Sequence, residues 1–167
     1  MASSVPTVKQ IAWISLVPQL ILMGIIMFGY DLLGFEDPYF YGAMTYLILS
    51  ITLRNIIATD HRKAIRLVKR NDFTNAIPLF EKSIAFFTKN SWVDKYRLLT
   101  LLSSSKMTYK EMALCNIAFC YSQTGNGQKA KDFYEQVIKE FPESGLAIAG
   151  LNMITSFQQA AQTGSES

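Results

Sequence analysis

Apolar residues fill the first third of the chain and take up helical spacing in the rest. The segment 11–30 has twenty residues without a charge, about the length that a helix needs to cross the hydrocarbon core of a membrane. A second apolar run covers 39–58 and is interrupted only by Arg54. The connection between them, DLLGFEDP, contains acids, glycine and proline and is typical of a turn. The pattern predicts a transmembrane helical hairpin in residues 1–58.

Two alternatives to a membrane hairpin stay open at this point. A cleaved signal peptide would begin with a basic segment, yet only Lys9 precedes the first run and no A-x-A cleavage pattern follows it. A buried helical hairpin in a soluble protein is the second alternative. Because a run of twenty uncharged residues is rare in soluble helices, the membrane interpretation is favoured.

The basic residues predict an orientation. The loop between the two runs holds three acids and no basic residue, whereas residues 54–70 hold six Lys or Arg and a single acid. By the positive-inside rule both termini face the cytoplasm, and a bacterial cell membrane is the expected location. The six are expected to attract anionic lipids or to form a solvated helix face, with Arg54 reaching the headgroups. They are Arg54, Arg62, Lys63, Arg66, Lys69 and Arg70.

Charge is balanced in the remainder of the chain. Residues 71–167 contain nine basic and nine acidic residues, so the net charge of +3 reflects the cluster beside the second run. A nucleic-acid-binding face would need its basic residues spread over a folded domain. Nucleic acid is therefore excluded as the main partner.

The region after residue 110 has two helical runs separated by a break. The first run places apolar residues at i, i+3, i+4 and i+7, which forms one face of a helix. Gly125 follows in a predicted turn, a second run comes next, and Pro142 ends it. The positions concerned are Leu114, Ile117, Ala118 and Tyr121, then Ala130, Tyr134 and Val137.

This pattern resembles the tetratricopeptide repeat, a helix–turn–helix of 34 residues, and spans about 111–144. A weaker copy at about 57–90 aligns Ala64 and Phe80 with Ala118 and Tyr134, and Asn71 takes the place of the turn glycine. The resemblance implies an all-α fold, with a short tetratricopeptide-like domain over 57–160 after the hairpin. Asparagine tolerates the left-handed conformation better than most residues. Pro78 departs from the pattern because it falls within the second helix of this copy.

Three segments flank the repeats. The second apolar run is expected to continue directly into the first repeat helix as one long helix. An inserted helix at 91–103, with Trp92, Tyr96 and Leu99 on one face, is expected to pack on the repeats. The alternative, which its Lys95 and Arg97 suggest, is that it lies in the membrane interface. A helix at 145–160 is predicted to cap the last repeat or, equally, to form the first half of a third, incomplete repeat, and a disordered tail is predicted at 161–167.

The sequence contains no constellation of residues that suggests catalysis. His61 is the one histidine and is expected at the surface or the membrane interface. Cys115 and Cys120 lie about 140° apart on one helix, so they are expected to be buried, unpaired and without a shared metal. No phosphate-binding, nucleophile or metal-ligand motif is present, so we expect a protein that is not an enzyme and needs no cofactor or metal.

Binding of a protein partner is the remaining expectation, because tetratricopeptide repeats hold peptides in a groove lined by the first helix of each repeat. A carboxylate clamp is not expected, since only Asn116 fits that pattern, and Phe119 also fits a core position. A membrane-anchored adaptor is therefore predicted. The alternative is a structural accessory subunit whose small residues, such as Gly24 and Gly29, pack inside a larger membrane complex. The groove candidates are His61, Ile65, Lys69, Met112, Asn116, Phe119 and Gln123.

Overall fold

The computed structural model describes residues 16–163, with side chains up to residue 159, and this part of the chain is helical. The prediction of an all-α fold is confirmed. The helices, in chain order, are α1 (Leu16–Leu32), α2 (Pro38–Ile57), α3 (Thr59–Lys69), α4 (Phe73–Lys89), α5 (Ser91–Lys95), α6 (Arg97–Thr100), α7 (Tyr109–Gln123), α8 (Gly127–Glu140) and α9 (Gly145–Thr163).

The helices divide into two compact units. The first, here called the hairpin unit, combines α1 and α2 with the segment 90–108 that holds α5 and α6. The second, here called the repeat unit, contains residues 60–89 and the chain from residue 109 onward. The segment 90–108 therefore groups with the apolar helices, whereas the sequence favours its packing on the repeats.

In the hairpin unit, α1 and α2 pack against each other in an antiparallel pair. A turn over residues 33–37 reverses the chain, and Gly34 adopts a φ of 74° there, a conformation that glycine reaches without strain. The hydroxyls of Tyr30 and Thr45 share a hydrogen bond of 2.9 Å across the pair. The two helices match the predicted apolar runs, although residues 11–15 of the first run lie outside the described part of the chain.

The expected continuous helix from the second apolar run into the first repeat is wrong. Helix α2 ends at Ile57, and Ala58 separates it from α3. The hydroxyl of Thr59 donates to the carbonyls of Asn55 and Ile56, at 2.5 and 2.8 Å. A hydroxyl that bonds to the carbonyls of the preceding turn slightly destabilises and often bends a helix, and this one lies at the break.

The repeat unit consists of the helix pairs α3–α4 and α7–α8, followed by α9. Both pairs turn through a left-handed residue, Asn71 with a φ of 59° and Gly125 with a φ of 77°. These are the two positions at which the sequence predicts such a conformation. Helix α4 continues through Pro78, which forgoes one backbone hydrogen bond without ending the helix.

The segments around the repeats differ in detail from their prediction. The single helix expected at 91–103 is two short ones, α5 and α6, separated at Tyr96. Helix α9 extends to Thr163, three residues beyond the predicted capping helix, and residues 164–167 lie outside the described part. Gly150 allows α9 to approach α8 closely, because a Cβ there would overlap the Tyr134 ring.

Small and aromatic side chains fill the core of the repeat unit. Helix α7 lies between α4 and α8 and buries most of its residues. Alanines at the helix crossings let the backbones approach closely, and Phe80 fills the space beside them, fully buried. The buried cluster comprises Ala64, Val68, Ala76, Phe80, Ala113, Ile117, Phe119 and Cys120.

Candidate functional site

His61, a predicted groove residue on α3, lies in the core of the repeat unit. Its side chain is buried, and its ring meets the rings of Phe80 and Tyr109 edge-on at centroid distances of 5.4 and 5.2 Å. Nδ1 lies 3.4 Å from the hydroxyl of Ser83. The expectation of a surface or interfacial histidine is therefore wrong. Loss of hydration on burial lowers the pKa of His61 from 6.5 to about 4, so the ring is neutral at pH 7.

This burial predicts loss of stability in acid. Because the pKa of His61 is lower in the folded than in the unfolded chain, the unfolded chain binds the proton first. The stabilisation is complete above pH 6.5 and is lost as the pH falls towards 4. Up to about 3 kcal/mol of unfolding free energy should disappear over this interval. Urea titrations at several pH values measure it, with His61→Gln as the control that lacks the titrating ring. An equal acid dependence in both proteins would contradict the assignment.

Phe119 and Ile65 are also engaged in the core. Phe119, on α7, is buried, and its ring meets the edge of Phe73 at 5.9 Å. Ile65, on α3, is half-buried against the core cluster. Phe119 therefore serves the packing of α7 and is not available to a partner that binds at the surface, and Ile65 offers only part of its side chain.

Four of the seven predicted groove residues remain as polar or flexible side chains with surface access. Lys69 and Gln123 are exposed, near the C-terminal ends of α3 and α7. Met112 and Asn116 are half-buried on α7, and the Asn116 amide donates to the Met112 carbonyl at 2.7 Å. Asn116 thus has one donor engaged within its own helix. The accessible set is smaller than the sequence predicts.

Five basic residues form a single exposed row along α3 and the residue after it, here called the α3 basic stripe. The buried residues of this helix, His61, Ala64 and Val68, lie on its other side. At about 100° per residue, the basic positions lie within about 120° of one another. The stripe is therefore a continuous cationic surface. It consists of Arg62, Lys63, Arg66, Lys69 and Arg70, all exposed.

Arg54, the sixth predicted basic residue, does not belong to this surface. It lies in the last turn of α2, and its guanidinium donates to the carbonyl of Leu101 at 3.0 Å and to that of Leu102. Both leucines are fully buried, and Leu102 has a φ of 47°, which is unusual for a residue with a side chain. Arg54 therefore holds the segment after α6 against the hairpin. Its guanidinium is thus engaged with backbone carbonyls of the hairpin unit.

Removal of the Arg54 guanidinium should loosen this segment. Arg54→Gln deletes two charge-assisted hydrogen bonds to buried carbonyls, with an expected cost of about 2 kcal/mol. Amide exchange at Leu101 and Ser103, which both bond to the Arg97 carbonyl, should accelerate roughly thirtyfold. The matched control is Arg62→Gln on the α3 basic stripe, which should leave these amides unchanged. Equal exchange in both variants would show that Arg54 has no holding role.

The hairpin unit presents a large apolar surface. Helix α2 is long and apolar enough to cross a membrane by length and composition, and α1 is a shorter apolar helix. Core helices of soluble proteins can be equally long and apolar, but they are mostly buried. Of an apolar stretch of 18 residues within α2, only 11 % is buried, and the side chain of Tyr39 is 75 % exposed. An exposed apolar surface of this kind is typical of a site that contacts a membrane or another protein.

The two cysteine thiols lie in surroundings that keep them protonated. Cys115 and Cys120 are buried and unpaired, as predicted, and burial raises the pKa of each to about 12. Such thiols hold almost no thiolate at pH 7. Among the described residues, no three His, Cys, Asp or Glu side chains come together in a way that could hold a metal ion.

The repeat unit thus has the features of a helical-repeat protein, in which paired antiparallel helices stack along the chain. The tetratricopeptide repeat family model matches residues 112–144, which correspond to the second predicted repeat. The region is therefore tetratricopeptide-like, and such repeats are typically a non-catalytic fold that binds proteins. No curated protein and no solved structure matches the chain significantly.

Proposed function

We propose that the chain is a membrane-anchored adaptor for another protein and has no catalytic activity. The hairpin of residues 1–58, with spans at about 11–30 and 39–58, is the anchor. The tetratricopeptide-like domain of residues 57–160 presents the binding surface at the cytoplasmic face. The observation that carries the proposal is a protein-binding type of repeat joined directly to an apolar hairpin whose surface is open.

The dimensions of the hairpin support an anchor in lipid. Helix α2 has twenty residues, about 30 Å at 1.5 Å per residue, which equals the hydrocarbon thickness of a typical bilayer. Helix α1 has seventeen described residues, and the uncharged sequence before it completes a second span. The acidic turn between them is proposed to lie outside, with both termini in the cytoplasm of a bacterial cell.

The α3 basic stripe supports the same orientation. Arg62 is the fifth residue after Ile57, so the chain holds it within about 18 Å of the end of α2. Cationic residues this close to a cytoplasmic leaflet favour retention on that side and attract anionic headgroups. Lys69, near the C-terminal end of the stripe, and the α7 positions Met112, Asn116 and Gln123 are proposed to contact the protein partner.

A purification of the full chain in mild detergent, with bound proteins identified by mass spectrometry, tests the adaptor. A soluble partner should be recovered from the unaltered chain and lost with Lys69→Glu combined with Met112→Ser. The matched control is Lys82→Glu, an exposed lysine on α4, which should retain the partner. If both variants retain the same proteins, the binding surface lies elsewhere.

A structural subunit of a larger membrane complex is the second candidate, and one observation favours it. Gly24 and Gly29 lie on α1, and a Cβ added to either would meet no atom within 4 Å, so their backbone is open to an approaching helix. In that case other membrane proteins should copurify with the chain. Gly24→Leu and Gly29→Leu should release them, whereas an adaptor of soluble proteins would keep its partner in both variants.

A further inference from the structure

The short helices α5 and α6 carry an apolar face that the adaptor role does not use. Trp92, Tyr96 and Leu99 follow one another at i, i+4 and i+7, and they are 60, 54 and 54 % exposed. Val93 and Asp94, at other positions of the segment, are buried. A helical segment with buried residues and three large exposed apolar side chains needs a second cover.

The position of this face within the hairpin unit indicates what covers it. Helix α6 packs against α1, and Arg54 bonds to the carbonyls directly after α6. Arg54 lies in the last turn of α2, at the end of the hairpin remote from the 33–37 turn. Helix α6, which carries Leu99, therefore adjoins the apolar hairpin near the end at which the proposed spans leave the hydrocarbon.

The chemistry of the three side chains suits the boundary between headgroups and acyl chains. Tryptophan and tyrosine have an apolar ring with a polar tip and are enriched at this depth. The exposed Lys95, whose Nζ lies 5.7 Å from the Tyr96 ring centroid, adds a cation that anionic headgroups attract. Arg97 is turned inward, because it donates to the carbonyls of Ser105 and Asp94 at 3.1 and 3.0 Å.

We infer that the face of Trp92, Tyr96 and Leu99 lies in the headgroup–acyl boundary of the cytoplasmic leaflet. These three residues are here called the interfacial collar. The inference rests on the proposed membrane anchor. It assigns the collar to lipid, not to a protein partner. It also means that the anchor consists of two spans together with a segment further along the chain, which Arg54 holds in place.

Tryptophan fluorescence of the full chain in vesicles tests this inference. The chain contains two tryptophans, so Trp13→Phe leaves Trp92 as the only emitter. The vesicles contain neutral and anionic phospholipids, brominated either near the headgroup end of the acyl chains or near their methyl ends. Bromine at the headgroup end should quench Trp92 more strongly than bromine at the methyl end, and the emission should be blue-shifted relative to the unfolded chain.

A second variant excludes a chance contact. Tyr96→Ser combined with Leu99→Ser, in the Trp13→Phe chain, removes two of the three side chains and should abolish most of the quenching. The matched control is Phe157→Ser on α9, another exposed aromatic residue, 70 % exposed, which should leave the quenching intact.

Extraction of the same vesicles with alkaline carbonate separates the two proposals. If the chain resists extraction but bromine does not quench Trp92, the anchor is retained and the inference of an interfacial collar is contradicted. If Trp92 is shielded from aqueous iodide but bromine at neither depth quenches it, its cover is protein, which also overturns the collar. A chain that carbonate releases contradicts the anchor itself, and the collar with it.

Discussion

Gly42→Leu is expected to open the α1–α2 hairpin. A Cβ at this position would lie 2.5 Å from Cγ and 2.9 Å from Cα of Met27. The side chain of Met27 can move, but its backbone can yield only if α1 shifts away from α2. We expect a cost of about 3 kcal/mol, or roughly a hundredfold in the ratio of closed to open hairpin.

Pulsed electron–electron distance measurements in micelles report this opening. Spin labels at Leu20 and Ile51, which are exposed positions on α1 and α2, should give one narrow distance in the unaltered chain and a broad, longer distribution in Gly42→Leu. Gly24→Leu is the control, because a Cβ there meets no atom within 4 Å. A narrow distribution in both variants would show that the two helices do not depend on close approach at Gly42.

Phe80→Ala should destabilise the repeat unit by about 3–5 kcal/mol. The side chain of Phe80 is fully buried in the core cluster, among its alanines, and its ring contacts the ring of His61. Its removal loses the transfer free energy of a phenyl group and leaves a cavity that helices in close contact cannot readily fill. The midpoint of urea unfolding, followed by far-ultraviolet circular dichroism in micelles, measures the change.

Phe86→Ala is the matched control for this prediction. Phe86 lies on the same helix, α4, but is 40 % exposed, so the same truncation should cost much less. Similar midpoints for the two variants would show that Phe80 does not belong to the core. They would also contradict the packing of α3 and α4 against α7.

The local pattern of the sequence predicts the helices and turns of this protein well. Apolar spacing marks both helix pairs of the repeat unit, and the left-handed turns fall at Asn71 and Gly125 as expected. The break at Ala58 has no apolar signal, because Ile57 and Ala58 continue the apolar pattern of α2. The Thr59 hydroxyl bonds to the carbonyls of Asn55 and Ile56 at the break, but a threonine in the sequence does not by itself predict one.

The surroundings of single polar residues are harder to predict, because they depend on contacts between distant segments. Arg54 bonds to carbonyls that lie 47 and 48 residues further along the chain, and no local pattern encodes that pairing. His61 stands between the charged residues Asp60 and Arg62, which suggests a surface position. One signal does point inward: His61, Ala64 and Val68 fall on a single helix face, and that face is buried.

The orientation of the predicted groove residues is also hard to predict from the sequence. The repeat pattern places Phe119 on the first helix of its pair but does not determine whether it faces a partner or the core. Its contact with Phe73, from the other helix pair, decides for the core. Lys69, Met112, Asn116 and Gln123 keep their place in the proposed binding surface because nothing in their packing closes them off completely.

Alkaline carbonate extraction of cell membranes that contain the full chain tests the central claim most directly, since it removes peripheral proteins and leaves proteins that span the bilayer. The proposed anchor predicts that the chain stays in the membrane pellet. Release of the chain into the supernatant, as a folded protein that remains monodisperse without detergent, would contradict the claim.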